Sequence, residues 1–171
     1  PKQDKKSHSK PIFMQKIKTA LLSYGMSGKV FHAPFLDLHS GFEITGAWER
    51  SKRLIQSDFP EVKSYATLEA LLQDDCDLVI VNTPVGTHYE YAKQVLLAGK
   101  HAIVEKAFTT TVAEAQELAA LANEKGLQLA VFQNRRWDSD FKTVQKILQD
   151  KILGDIVEAE IHFDRYNPYL S

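Results

Sequence analysis

The chain has 171 residues, 44% hydrophobic and 25% charged, with a formal net charge of −1, enough for one full domain and the start of another. That balance carries no electrostatic footprint for nucleic acid or an anionic membrane surface, and no apolar run approaches the roughly 20 residues of a membrane helix. The single cysteine, Cys76, forms no internal disulfide, which favours a reducing, cytoplasmic setting.

Residues 1–16 open with PKQDKKSHSKPIF, lysine-rich but without the apolar stretch of a signal peptide. They read as a disordered arm or an artificial extension, with Met14 a natural start. No aromatic residues interleave with the lysines, which argues against a nucleic-acid grip.

From Ile17 onward, strand-length apolar runs alternate with helical patterns. The strands are expected at IKTALLS (17–23), FEITGAWE (42–49), VKSYA (62–66), DLVIVNT (77–83), HAIVEKA (101–107) and LQLAVFQ (127–133). LVIVN is nearly continuous in its apolarity, as a strand buried on both faces of a parallel sheet would be. Thr87 with Glu90, and Thr111 with Glu114, have the spacing of capping boxes at two helix starts. In the second of these helices Val112, Ala115, Leu118, Ala119 and Ala122 share one face. Gly99 and Gly126 fall where a left-handed residue ends a helix. Six strands with helical crossovers make an α/β fold, a doubly wound parallel sheet of Rossmann type over residues 17–137. Ligands bind such a sheet at the carboxyl ends of its strands.

After Trp137 the pattern changes. DSDFKTVQKILQDKI predicts a helix capped near Asp138 or Ser139, with Phe141, Val144, Ile147 and Leu148 on its buried side. In LGDIVEAEIHFDRY, Val157, Ala159, Ile161 and Phe163 alternate with polar residues, as on a strand of an open, one-sided sheet. Residues 138–171 therefore read as a connecting helix and first strand of an incomplete second α/β domain for substrate and dimerisation, either cut off or never made.

The first β–α turn, SYGMSGKVFHAPF (23–35), has Gly25 and Gly28 in the positions of a dinucleotide-binding G-x-G-x-x-G turn, but Ser23 in the leading place. Glu49 ends the next strand, 21 residues after Gly28, which is the context the pattern requires. Gly25 would admit a diphosphate to the backbone and Gly28 would allow close packing of helix on strand. The free amides and dipole of the helix start favour an anion by about 0.3–2 kcal/mol per charge. Serine at 23 costs about 1–3 kcal/mol if the turn needs a positive φ, and little if it stays extended; the extended form is expected, and there its hydroxyl can reach a phosphate. Glu49 suits both ribose hydroxyls of NAD and would repel a 2′-phosphate, whereas Arg50 and Lys52 could receive one. The cofactor is thus NAD or NADP, with the balance toward NAD.

With SYGMSGKVFHAPF, VNTPVGTHYEYAKQVLLAGKHAIVEKAFT and QNRRWDSDF in order, the chain resembles the glucose–fructose oxidoreductase/inositol dehydrogenase family over roughly residues 17–165. The resemblance implies an N-terminal dinucleotide fold and a C-terminal open-sheet domain. It further implies hydride transfer between nicotinamide and a sugar, polyol or related hydroxyl compound, and homo-oligomers in full-length forms. By position it assigns Ser23, Tyr24, Gly25, Met26, Ser27 and Gly28 to the phosphate turn and Glu49 with Arg50 to the adenosine ribose. Asn82, Thr83, Pro84 and His88 fall in the loop along the cofactor, and Glu105 and Lys106 form the acidic–lysine pair. Asn134, Arg135 and Trp137 would lie near the nicotinamide. Ala107 replaces the family's usual proline, so Lys106 is expected to be less rigidly aimed. The family's aspartate/histidine proton-transfer pair has no match here; His162 and Asp164 stand elsewhere.

Oxidising a carbinol releases a proton as well as a hydride. Lys106 is the expected catalytic group, orienting the substrate oxygen, while a histidine outside this sequence takes the proton. His88 either bonds near the nicotinamide or extends a helix start, and His32 is expected to be a packed helix residue. No histidine–cysteine cluster has metal-ligand spacing, and no G-x-S-x-G elbow is present. Two other readings stay open: a coenzyme-binding module without chemistry of its own, and a methyltransferase using a nucleoside-sulfonium cofactor.

Overall fold

The structure is a computed structural model that describes residues 15–49, 52–162, 164 and 166. The arm before residue 15 and the ribose role of Arg50 lie outside the described residues. Six strands form one all-parallel sheet: β1 (Ile17–Leu21), β2 (Phe42–Trp48), β3 (Lys63–Tyr65), β4 (Leu78–Val81), β5 (His101–Val104) and β6 (Leu129–Val131). Their order is β3-β2-β1-β4-β5-β6. The direction of winding reverses between β1 and β4, and a crevice opens there beyond the strand ends. All six strands expected between residues 17 and 133 are present, most of them shorter at one or both ends.

Helices cover both faces. On one side α1 (Ala33–Leu38) and α2 (Ile55–Asp58) bury Ala33, Leu36 and Ile55 against Leu21, Ala47 and Ile80. On the other, α3 (Leu68–Gln73), α4 (His88–Leu97) and α5 (Val112–Glu124) close over Ala20, Val79, Val81, Ala102 and Val104. All four residues of β4 are buried, which is why its sequence does not alternate. Each such aliphatic side chain contributes about 1.5–3 kcal/mol by leaving water.

Helix ends follow local chemistry. The Thr111 hydroxyl accepts from the Glu114 amide while the Glu114 carboxylate accepts from the Thr111 amide, a complete capping box. The expected box at Thr87 and Glu90 does not form. A 3₁₀ turn (Val85–Thr87) precedes α4, and the Thr87 oxygen lies 2.7 Å from the Pro84 carbonyl and 2.8 Å from the Thr83 hydroxyl instead. Gly99 and Gly126 have φ of +76° and +65°, the left-handed form expected after α4 and α5. On α5, Leu118 and Ala122 are buried, whereas Val112 and Ala119 face outward, correcting the five-residue face.

The chain divides into two compact units after Phe132, so Asn134–Trp137 group with the later residues of the chain rather than with the sheet. The second unit comprises a 3₁₀ turn (Asn134–Trp137) and α6 (Ser139–Gln149). Within this unit no residue of α6 is buried; Phe141, Val144 and Leu148 are exposed, contrary to the expected buried side. Residues 156–162 form no ladder among the described residues and are exposed. A strand there would need a neighbour for its backbone N–H and C=O groups, and the described residues offer none. Replacing Thr111 removes one acceptor and frees Glu114, so Thr111→Ala is expected to cost about 0.5–2 kcal/mol in urea unfolding, and Val112→Ala, on the exposed face, much less.

Candidate functional site

A cleft of about 420 Å³ lies at the carboxyl edge where β1 and β4 part, entirely within the first unit. One wall is the first β–α turn, Ser23 to Gly25; another is the loop after β4 with Thr83, Pro84 and Thr87. Glu49 and Lys52, which follow β2, close the far end together with Trp48, Leu54 and Tyr91. The Trp48 and Tyr91 rings meet edge to face at 5.3 Å.

Ser23 does not take a positive φ, so the leading serine imposes no left-handed strain. Its Oγ instead accepts from the Gly25 amide at 3.2 Å, closing the turn with a side chain. Gly25 is exposed, and a Cβ there would meet only Ser23 Oγ at 3.5 Å; the space it would fill belongs to the cleft. Gly28 is different. A Cβ at that position would collide with the Ser23 carbonyl oxygen and stand 3.0 Å from Asn82 Nδ2. Helix structure begins at Met26, and Lys29 N donates to Gly25 O at 2.9 Å. The amides of Met26, Ser27 and Gly28 thus precede the first helical bond, an arrangement that receives anions.

Tyr24 turns away from the cleft floor into the core. Its hydroxyl donates to Asp58 Oδ2 at 2.9 Å, and Lys29 Nζ pairs with the same carboxylate at 2.8 Å. Burial, and then Asp58, push the phenol well above its usual pKa. Tyr24 therefore offers the cleft its backbone while its side chain braces the turn from behind.

Asn82, 6% exposed, ends β4 and donates through Nδ2 to the Ser23 carbonyl at 2.8 Å. Its Oδ1 is buried without a hydrogen-bond partner, an acceptor waiting at the switch point between β1 and β4. Glu49 is more occupied than its sequence position suggests. Oε1 accepts from Leu54 N at 2.7 Å, and Oε2 accepts from Ile55 N at 3.3 Å and Ser64 Oγ at 3.0 Å. The carboxylate clamps the start of α2 and keeps fewer free lone pairs for a ribose.

His88, expected either near the nicotinamide or at a helix start, is the first residue of α4. It is 1% exposed, with Nδ1 2.7 Å from the Ala107 carbonyl and Nε2 2.7 Å from the Thr83 carbonyl. Both ring nitrogens face backbone carbonyls, which only accept, so a neutral ring donates to one of the two; the histidine stands between the loop after β4 and the loop after β5. Glu105 is held by the protein's own donors: Oε1 accepts from Ser27 Oγ at 2.6 Å and lies 3.0 Å from His32 Nε2, and Oε2 accepts from Lys106 N at 3.2 Å. Lys106 itself is exposed, and its peptide bond to Ala107 is cis. In the second unit, Arg135 Nη1 donates to Asp138 Oδ2 at 2.8 Å and Lys142 Nζ sits 5.1 Å from the exposed Trp137 ring.

Sequence reading missed Trp48, Leu54, Thr87 and Tyr91 as cleft walls; only their adjacency to Glu49 and Thr83 could have signalled them. Among the described residues no group of histidine, cysteine and carboxylates could hold a metal ion, and no helix is long and apolar enough to cross a membrane.

Comparison with known proteins agrees with this geometry. The profile of an oxidoreductase family with an NAD-binding Rossmann fold matches residues 17–133. The chain is 48% identical to the uncharacterized oxidoreductase C115.03 of Schizosaccharomyces pombe, over 90% of this chain and 43% of that protein. It is 40% identical to IolW of Bacillus subtilis, a scyllo-inositol 2-dehydrogenase (NADP(+)), over 89% of this chain and 43% of that protein. A Bacteroides fragilis crystal structure superposes with a TM-score of 0.86 at 48% identity, covering 91% of this chain and 46% of that one. The chain thus spans less than half the length of these relatives.

Because Gly28 lies hard against the Ser23 carbonyl, Gly28→Ala is expected to lower stability by about 1–3 kcal/mol in urea unfolding. Gly25→Ala should leave stability nearly unchanged, since its Cβ points into open space.

Proposed function

The chain belongs to the glucose–fructose oxidoreductase/inositol dehydrogenase family of oxidoreductases, and from that membership we propose that it supplies the coenzyme-binding part of an NAD(P)-dependent enzyme acting on a sugar, polyol or related hydroxyl compound. The observation that carries the proposal is the cleft at the β1/β4 switch point, lined by an uncrowded Gly25, which leads directly into the helix start, and by Glu49. Bound there, the nicotinamide coenzyme supplies or accepts the hydride. The amides of Met26, Ser27 and Gly28 would hold its diphosphate, and the space above Gly25 admits that group to the backbone. Asn82 Oδ1 is an acceptor suited to a donor of the incoming ligand or to a water that comes with it. Thr83 and Pro84 would line the path from Glu49 toward Lys106.

Lys106 is assigned to the substrate oxygen. Its ammonium would orient the hydroxyl and stabilise the negative charge that grows on that oxygen as a base from the part of the enzyme beyond this chain takes its proton, a charge that the departing hydride then carries away. Arg135 and Trp137 are assigned to the nicotinamide end, and homo-oligomers to the full-length form, on the family resemblance. The buried free Cys76 suits a reducing, cytoplasmic setting.

Between the two coenzymes, Glu49 would favour NAD if both its oxygens were free, but they already hold α2 and Ser64. Lys52 lines the same cleft and is a cation suited to a 2′-phosphate. IolW, a relative, is named for NADP(+). We therefore carry NADP beside NAD.

Titration with NADH and NADPH, followed by the fluorescence of Trp48 at the cleft, is expected to show saturable uptake of at least one. Uptake of neither, or of a nucleoside-sulfonium cofactor alone, overturns the proposal. In an active full-length form, Lys106→Ala is expected to lower kcat by about 10²–10³-fold with little change in coenzyme affinity; an unaltered kcat removes the assignment.

A further inference from the structure

His32 is 3% exposed and lies in the π-helical turn Gly28–His32 that leads into α1. Pro34 has no N–H and its ring would strike the Val30 carbonyl of a regular helix, so a wider turn fits there. The widened turn, closed by Ala33 N to Gly28 O, brings His32 inward. Its ring stacks on Phe132, just after β6, at 4.2 Å between centroids, and Nε2 lies 3.0 Å from Glu105 Oε1. The same oxygen accepts from the Ser27 hydroxyl at 2.6 Å, and the other oxygen from the Lys106 amide at 3.2 Å. One carboxylate, itself 13% exposed, thus joins the phosphate turn, the first helix and the loop that carries Lys106.

We propose that His32 is a positioning residue for coenzyme and substrate: through Glu105 it holds the Ser27 hydroxyl and the Lys106 backbone in one rigid arrangement. The Ser27 hydroxyl hydrogen is then turned toward Glu105 and its amide is left for the ligand. Burial, the larger influence, lowers the His32 pKa despite the pull of Glu105, so near neutrality the ring is uncharged and donates through Nε2. Burial alone would raise the Glu105 pKa, but the Ser27 and His32 hydrogen bonds outweigh it and the carboxylate stays ionised. Glu105 is the charged group in contact with the ring; Phe132 is apolar, and Lys29 on the same turn is engaged with Asp58. The effect on coenzyme rests on the function proposed above, whereas the linkage itself does not.

Two measurements separate these. In the ligand-free chain, NMR of the backbone amides between pH 8 and 5 should show Ser27 and Lys106 shifting with the His32 ring, at a midpoint below the ordinary value of about 6.5. His32→Gln, which keeps a donor but does not titrate, should abolish that step at both positions. Silence at either amide in the unaltered chain, or a step that survives in His32→Gln, overturns the linkage. In coenzyme titrations, Ser27→Ala and His32→Leu should each weaken binding about tenfold, and the double variant no more than either alone, because both break one network. His32→Gln should recover most of the loss, and it replaces His32→Leu in the comparison if the latter does not fold. Additive losses, or no recovery with glutamine, overturn the positioning role. If the unaltered chain binds neither coenzyme, the function fails, while the amide titration still judges the linkage.

Discussion

The carboxyl edge of this sheet depends on how closely the first helix descends on β1. With no side chain at Gly28, the Ser23 carbonyl and the Asn82 amide can meet beneath the helix start. That contact joins Ser23, where the first β–α turn begins, to Asn82, the residue after β4, across the point where the winding of the sheet reverses. Tyr24, Asp58 and Lys29 brace the same turn from the opposite side. The amides between Met26 and Gly28 are therefore fixed by the protein before any ligand arrives, and the cost of ordering them falls on folding rather than on binding.

The acidic residues of the edge share a pattern. Glu49 holds the start of α2, and Glu105 gathers Ser27, His32 and the Lys106 amide. Each stands where a ligand contact is expected, yet each is largely committed to the protein's own donors. Half-buried carboxylates need such donors, because leaving one without partners would cost more than the contacts return. His88 stands between two neighbouring loops in the same way, with a backbone carbonyl 2.7 Å from each ring nitrogen. The loops around the cleft are thus tied to one another by polar side chains that sequence position alone would assign to the ligand.

Much of this fold was legible in the sequence. Buried parallel strands announce themselves by continuous apolarity, as LVIV does, and the Thr111–Glu114 spacing specified a capping box that forms as written. The outward turn of Val112 and the 3₁₀ turn before α4 were not legible, because packing and the Thr87 hydroxyl's other partners decided them. The candidate site was legible as a set of loops but not as a set of roles. Nothing in the order of residues shows that His88 is shut in, that Glu49 is already clamped, or that a proline two residues on turns His32 toward Glu105. For α6 the apolar stripe was legible, and its exposure was not, since periodicity says which side chains share a face and not whether anything covers it.

The Ser23–Gly25 bond bears on how such turns are recognised at all. The leading glycine of the usual motif solves a problem of chain reversal, and here a hydroxyl solves it by another route, capturing an amide two residues ahead. Any short side chain with an oxygen at that reach would serve as well, whereas the crowded position at 28 admits no substitute. A search pattern that weights all three glycines equally therefore passes over a turn of this shape. One that demands only the residue pressed against the strand would find it.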